Sequence, residues 1–202
     1  MKAEIISVGT ELLLGQIDNL DAQYISQESM GMGIDIYYHT VVGDNRDRLL
    51  HIIRTAYDRS DLIIFTGGLG PTEDDLTKET VSEFLNLDLV EYPEAREAVI
   101  KHFHSRNFTE NNKKQWMFPK GSILIPNNNG MAPGCIIESN SKIFIVLPGP
   151  PNELKPMFKE TVIPYIVAKT AYKTVIVSRV IKLYGISESA LEERIKDIID
   201  NQ

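Results

Sequence analysis

The chain has 202 residues, 43% of them hydrophobic, and a formal net charge of −7. This length accommodates one full domain and part of a second, and the acidic balance argues against the basic face on which nonspecific nucleic-acid binding depends. Cys135 is the only cysteine, which excludes an intramolecular disulfide and a cysteine-built zinc site.

No apolar run approaches membrane-spanning length, and Met1 to Ile6 opens straight into a strand pattern. A cytoplasmic, soluble protein without a membrane partner is the expectation. Ala3 to Val8 reads as a buried strand ending at Gly9-Thr10-Glu11. Asn19 to about Met30 predicts a helix broken by Gly31-Met32-Gly33, and Ile34 to Val42 a second strand closed by Gly43-Asp44-Asn45. Leu49, Leu50, Ile52, Ile53, Ala56 and Tyr57 fall at helical spacing before a third strand ending at Phe65. This β-α-β-α-β order implies a parallel sheet with right-handed crossovers.

Helices are expected over Leu76 to Leu87 and Pro93 to His104, then a polar loop from Asn107 to Gln115 beside a packing Trp116. Ser122 to Ile125, Gly134 to Glu138 and Lys142 to Leu147 read as three short strands, the last two joined by an Asn140-Ser141 hairpin, so the sheet is mixed. Cys135 sits in one of them as a small buried residue. Glu153 to Val167 continues as a helix with breaks or kinks at Pro156 and Pro164. The tail predicts a strand over Tyr172 to Leu183 and a helix over Ser187 to Ile199 with a Ser189…Glu192 capping box. The division is then a main domain over 1–168 and, over 169–202, the start of a small α+β domain or a dimerisation segment.

Two turns carry the chemistry. Thr66-Gly67-Gly68-Leu69-Gly70-Pro71-Thr72-Glu73-Asp74-Asp75 follows one buried strand, and Leu147-Pro148-Gly149-Pro150-Pro151-Asn152-Glu153-Leu154 follows another. Strand, glycine turn, helix is the arrangement that aims backbone N–H groups at an anion. Gly67, Gly68 and Gly70 permit close approach to a phosphate, and Thr66 and Thr72 add hydroxyls. Glu73, Asp74 and Asp75 sit at the expected helix start. Acids there stabilise the first helical turn, yet they repel a phosphate unless a cation intervenes; on spacing alone, capping and metal ligation stand level. Asp44, taken alone, reads as the N-cap of the next helix, and Glu11 as a solvated loop acid. The second turn is a rigid backbone around Gly149, with Asn152 and Glu153 opening a helix. The four histidines form no ligand set.

In this order the Ser7 to Gln16 segment, Val42-Gly43-Asp44-Asn45 and the two turns resemble the competence/damage-inducible CinA family, within the molybdopterin-binding superfamily of MoaB, MogA and MoeA. The resemblance spans Met1 to about Ala168. It implies a three-layer α/β sandwich around a mostly parallel mixed sheet, with the tail similar to the start of a KH-like middle domain. It also implies that the Thr66 to Gly70 turn holds phosphate or pterin, and that Asp44 and Asp75 are linked to metal and catalysis, with Glu11, Gly149 and Pro150 as looser ligand contacts; Asp74 and Glu153, by their places in the two turns, are further candidates for the ligand. The activity implied is hydrolysis of ADP-ribose to AMP and ribose 5-phosphate with a divalent metal, often with potassium; Mg or Co is the expected ion, and the unpaired strand of the tail points to a homodimer. The alternatives are a pterin-binding or adenylyl-transferring enzyme and a noncatalytic nucleotide-sensing module. Leu69 stands where MoaB and MogA forms carry threonine, which favours the pyrophosphate reading. Asp18-Asn19-Leu20-Asp21 departs from the family's Asn-rich segment, and no contact carries over onto it.

Overall fold

Continuous burial along the central strands sets the architecture of the computed structural model, which describes residues 1–103, 110–169 and 179–201. The first half runs β1 (Lys2–Val8), α1 (Thr10–Leu13), α2 (Leu20–Met30), β2 (Asp35–Val42), α3 (Arg46–Arg59), β3 (Leu62–Thr66) and α4 (Thr77–Phe84). Then come β4 (Leu89–Glu91), α5 (Pro93–Phe103), a 3-10 segment (Glu110–Trp116), β5 (Met117–Pro119), β6 (Ile123–Ile125), β7 (Gly134–Ser139) and β8 (Lys142–Leu147). Helices α6 (Pro151–Met157) and α7 (Ile163–Lys169) flank a π-helical segment, Phe158–Val162, and α8 (Glu188–Arg194) and α9 (Lys196–Ile199) end the chain. No helix among the described residues is long and apolar enough to cross a membrane.

The main sheet has the order β2-β1-β3-β8-β7-β6, parallel through its first four strands and antiparallel at β7 and β6. Successive side chains of one strand leave on opposite faces. Ile6 and Val8, Ile63 and Phe65, and Phe144 and Val146 therefore pack with Leu49 and Ile53 of α3 and Val81 of α4. Their neighbours Ile5, Ile64 and Ile145 pack on the other face with Ile25 of α2, Leu154 of α6 and Ile166 of α7. Both faces are covered, which yields the expected three-layer sandwich. Each of these fully buried aliphatic side chains contributes roughly 1.5–3 kcal/mol.

The chain leaves β1 towards β2 on one side and returns to β3 on the other. The crossover changes direction beside β1, and crevices open at such a point over the carboxyl ends of the strands. This places Gly9, Gly43, Gly67 and Pro148, each just beyond a strand, around one opening.

Several local expectations are revised. The helix after the first turn begins only at Thr77 and ends at Phe84. Of the polar segment expected as a loop, residues 107–109 lie outside the described residues and the rest is wound into the 3-10 helix, and β4 pairs antiparallel with β5, a ladder of three residues per strand that is too short to show alternation in sequence. Asn140 and Ser141 form the hairpin with φ of 49° and 64°, the left-handed pair a two-residue turn requires. Pro156 has no N–H to give the Asn152 carbonyl, and the Asn129 side-chain amide donates to it instead at 2.9 Å. The π segment lies immediately ahead of Pro164.

The expected strand over Tyr172 to Leu183 lies partly outside the described residues, at 170–178, and residues 179–183 carry no strand hydrogen bonds. Helix α8 is capped by Ser187, whose Oγ accepts from the Ala190 N–H at 3.4 Å, not by Ser189. The corrected cap sits one residue ahead of the helix, where its hydroxyl meets the free donors. Neither α8 nor α9 buries a residue.

Candidate functional site

The two turns expected to bind anions are two sides of one cleft. Gly67 donates its N–H to the Leu147 carbonyl at 3.0 Å, and a Cβ on Gly149 would lie 3.5 Å from the Gly67 Cα. The backbones of the two turns therefore meet with no side chain between them. The cleft holds about 580 Å³ and is lined by Thr66, Gly67, Gly68, Gly70, Asp74, Asp75, Asp44, Glu11, Gly149, Pro150 and Glu153 among the expected residues. Thr72, also expected there, is not on its wall.

The first turn owes its shape to glycine. Gly67 and Gly68 have φ of 91° and 68°, and a Cβ at either would fall 2.2 Å from the Val8 carbonyl oxygen or the Thr77 Oγ1. Thr77, at the start of α4, donates its hydroxyl to the Gly67 carbonyl at 2.8 Å and its N–H to the Gly68 carbonyl at 3.2 Å. With those carbonyls turned inward to the helix, the N–H groups of Gly68, Leu69 and Gly70 make no hydrogen bond among the described residues. Consecutive unpaired N–H groups bordering a cleft form an anion cradle. Thr77 carries a structural role that the chain pattern alone did not single out.

The acids are placed differently from the sequence reading. Glu73, Asp74 and Asp75 lie in a turn ahead of α4 and not in its first turn, whose acid is Glu79. Asp75 folds back on its own turn: its Oδ2 accepts from the Thr72 N–H at 3.0 Å and from the Thr72 hydroxyl. Lys114 clamps the same turn from outside, donating to the Thr72 and Asp75 carbonyls at 2.7 Å each. Asp74 is held below the ordinary carboxylate range, first by the Thr72 hydroxyl. The N-cap of α3 is Asn45, which accepts from the Arg48 N–H at 3.0 Å. Asp44 is thereby released from capping. Its Oδ2 instead takes the N–H and hydroxyl of Thr10 at 2.9 and 2.8 Å, tying the ends of β1 and β2 together at the cleft.

On the opposite wall, α6 begins at Pro151, a favourable first helical position. Glu153 Oε2 accepts from the Asn127 side-chain amide at 2.6 Å, and Asn127 also donates to the Ala132 carbonyl at 3.0 Å. The Asn127 to Ala132 loop thus brings Met131 and Ala132 to the cleft. The sequence reading left this loop out, although its Asn-Asn-Asn-Gly run is a turn signal. Also on the wall, and likewise unassigned from sequence, are Leu12, Ile17, Asp21 and Gln115.

The charge on the lining is one-sided. Glu11, Asp18, Asp21, Asp44, Asp74, Asp75 and Glu153 all contribute, and among the described residues no Lys, Arg or His lines the cleft. No three acid, His or Cys side chains among the described residues converge into a metal cage. That donor set fits an ion of the Mg²⁺ type, which uses one or two carboxylates and takes its other ligands from water and substrate phosphate.

The other expected bystanders keep structural roles. Cys135 is fully buried, and burial pushes its thiol up to about 12. Trp116 and Phe118 are core residues. His39, on the edge strand β2, shares a hydrogen bond with Ser26 of α2.

Residues 4–168 match the family model described as a probable molybdopterin binding domain. The chain is 57% identical over its whole length to a protein of Thermoanaerobacter pseudethanolicus provisionally named competence-damage inducible, and 52% identical to one of Clostridium beijerinckii so named. It covers 49% of each, so it spans about half the length of these curated relatives. Among solved structures, CinA of Thermoplasma acidophilum, described as of unknown function, superposes with a TM-score of 0.76 at 32% identity over 81% of this chain and 96% of that one. MoaB of Thermus thermophilus, at 20% identity and a TM-score of 0.54 over 83% of this chain and 96% of that one, shares the fold. With its glycine cradle and acid-walled cleft inside the matched region, the chain belongs to the CinA proteins of the molybdopterin-binding domain family.

Proposed function

We propose that this chain is a metal-dependent nucleotide pyrophosphatase that hydrolyses ADP-ribose to AMP and ribose 5-phosphate. One observation carries the reading: a row of unpaired backbone N–H groups, suited to a phosphate, borders a cleft whose ionisable lining, among the described residues, is entirely carboxylate. An anionic ligand is repelled from such a wall unless a cation accompanies it. A pyrophosphate brought in with a divalent ion satisfies both halves of the site.

In this reading the Gly68 to Gly70 N–H groups hold one phosphate. Asp44 and Asp75, each oriented by a threonine, hold the ion; Mg²⁺ or Co²⁺, with potassium as an auxiliary cation, are the candidates. The ion, when bound, neutralises phosphoryl charge and lowers the pKa of water. A wall carboxylate takes the proton from the attacking water, whose oxygen bonds to phosphorus as the bridging P–O bond breaks. The Pro148 to Pro151 wall and Met131 close the opposite side.

The test is release of AMP from ADP-ribose by the purified chain, with and without Mg²⁺ or Co²⁺, beside Asp75→Asn. Metal-stimulated turnover lost in the variant is the expected result; turnover that survives the substitution removes the catalytic assignment. The family model favours a second reading, a pterin ligand in the same cradle. Tight pterin binding without nucleotide binding supports that alternative, and nucleotide binding without turnover supports a sensing module.

A further inference from the structure

The described residues contain two buried acids, and they are treated in opposite ways. Glu4 is fully buried but well satisfied: Thr40 donates to it at 2.7 Å, and Arg59 donates twice, at 2.8 and 2.9 Å. Asp21 is 8% exposed and has no hydrogen bond to any described residue, and its Oδ1 is sealed from solvent without a partner. Lys155 on α6 is the cation facing it, yet the two form no ion pair. Burial pushes the Asp21 carboxyl up from 3.8 to about 6, the signature of a charge that the protein alone leaves unsatisfied.

Helix capping does not account for this residue. Asn19 already caps α2, accepting from the Ala22 N–H at 3.2 Å, and Asn19 is itself fixed by Ser7 on β1. An acid that only complements the helix dipole gains nothing from burial. Asp21 instead lines the cleft, as do the apolar side chains Leu12, Ile17 and Leu20 and the glycines of the cradle. An unpartnered carboxylate at the wall of a binding cleft requires a hydrogen-bond donor, and the donor groups of a nucleotide beyond its phosphates include the ribose hydroxyls. A carboxylate accepting from a ribose hydroxyl is a recurrent solution in nucleotide sites.

We infer that Asp21 is the sugar-recognition residue of the cleft, accepting a hydrogen bond from a ribose hydroxyl of the bound nucleotide. This rests on the pyrophosphatase reading above and assigns the recognition of one ribose within it. The bond falls on Oδ2, the carboxylate oxygen that is not sealed, and it stabilises the charge without reaching Oδ1.

The experiment compares kcat/KM for ADP-ribose and for analogues lacking the 2′-hydroxyl on one ribose or the other. It uses the full chain in Mg²⁺, as wild type, Asp21→Asn and Asp21→Ala. Wild type is expected to discriminate against one of the deoxy analogues by about 10- to 100-fold, the range for a hydrogen bond to a charged group. Asp21→Ala should lose that discrimination and Asp21→Asn retain part of it. Thermal melting of the ligand-free chains provides the second readout, and both variants should melt at or above wild type. A purely structural Asp21 would lower the melting point and leave the discrimination untouched. The inference is overturned by that result, or by a wild type indifferent to both deoxy analogues. A wild type that neither binds nor cleaves ADP-ribose removes the pyrophosphatase reading itself, and this assignment with it.

Discussion

The two turns share a chain pattern, strand into glycine turn into helix, and have opposite chemistry. In the first, three glycines expose backbone donors while Thr77 draws the carbonyls away. In the second, Pro148, Pro150 and Pro151 have no N–H to offer, leaving Gly149 as the donor-bearing residue of Pro148 to Pro151. The first turn is a cradle and the second a wall pressed against it. A glycine in a turn is therefore informative only with the identity of its neighbours and the space around its Cα.

The sharpest way to break this comparison is to add the same methyl group to each turn. Gly67→Ala places a Cβ against the Val8 carbonyl at 2.2 Å with φ at 91°, and should destabilise by about 3 kcal/mol or more in chemical denaturation. Next in size, Asp75→Asn should lower kcat for ADP-ribose by about 100-fold, whereas Glu153→Gln on the opposite wall should change it far less. Steady-state rates on the two variants decide whether the chemistry belongs to the first turn.

Lys78 tests what supports the first turn from beneath. Its ammonium is buried, donates to the Lys114 and Met117 carbonyls and lies 4.4 Å from the Phe118 ring. Burial lowers it from 10.5 to about 8. Between those values the unfolded chain still binds the proton that the folded one has released, so stability should increase as pH rises through that window. Lys78→Met should abolish this slope and, by leaving two carbonyls without their donor, cost about 1–3 kcal/mol at neutral pH. Urea midpoints across the alkaline range would measure both effects.

Smaller effects complete the contrast. Thr77→Val removes the hydroxyl that holds the Gly67 carbonyl and should cost about 1 kcal/mol, together with weaker phosphate binding. Gly149→Ala meets the Gly67 Cα at an ordinary 3.5 Å and should shift stability by less than about 0.5 kcal/mol. Equal losses for Gly67→Ala and Gly149→Ala would erase the distinction between cradle and wall.

The sandwich was legible because its signals are local. Runs such as Leu62 to Phe65 and Ile143 to Val146 are continuous and apolar, as strands buried on both faces must be, and the Asn140-Ser141 hairpin announces itself by residue type. The tail was less legible. A strand exists through its partner, and the described residues 179–183 have none. Asp44 shows the limit of a local reading: its position made it look like a cap, while the neighbouring Asn45 takes that role and Asp44 binds Thr10.

What the sequence determined by itself was the order of the longer elements, the two faces of the sheet and the glycine turn, since periodicity and backbone freedom are properties of short segments. Only the tertiary structure decided that both turns serve one cleft and that, among the described residues, its ionisable lining is all carboxylate and Asp21 is buried without a hydrogen-bond partner. Those facts depend on distances between residues far apart in the chain, and on which charges lose their water when the layers close.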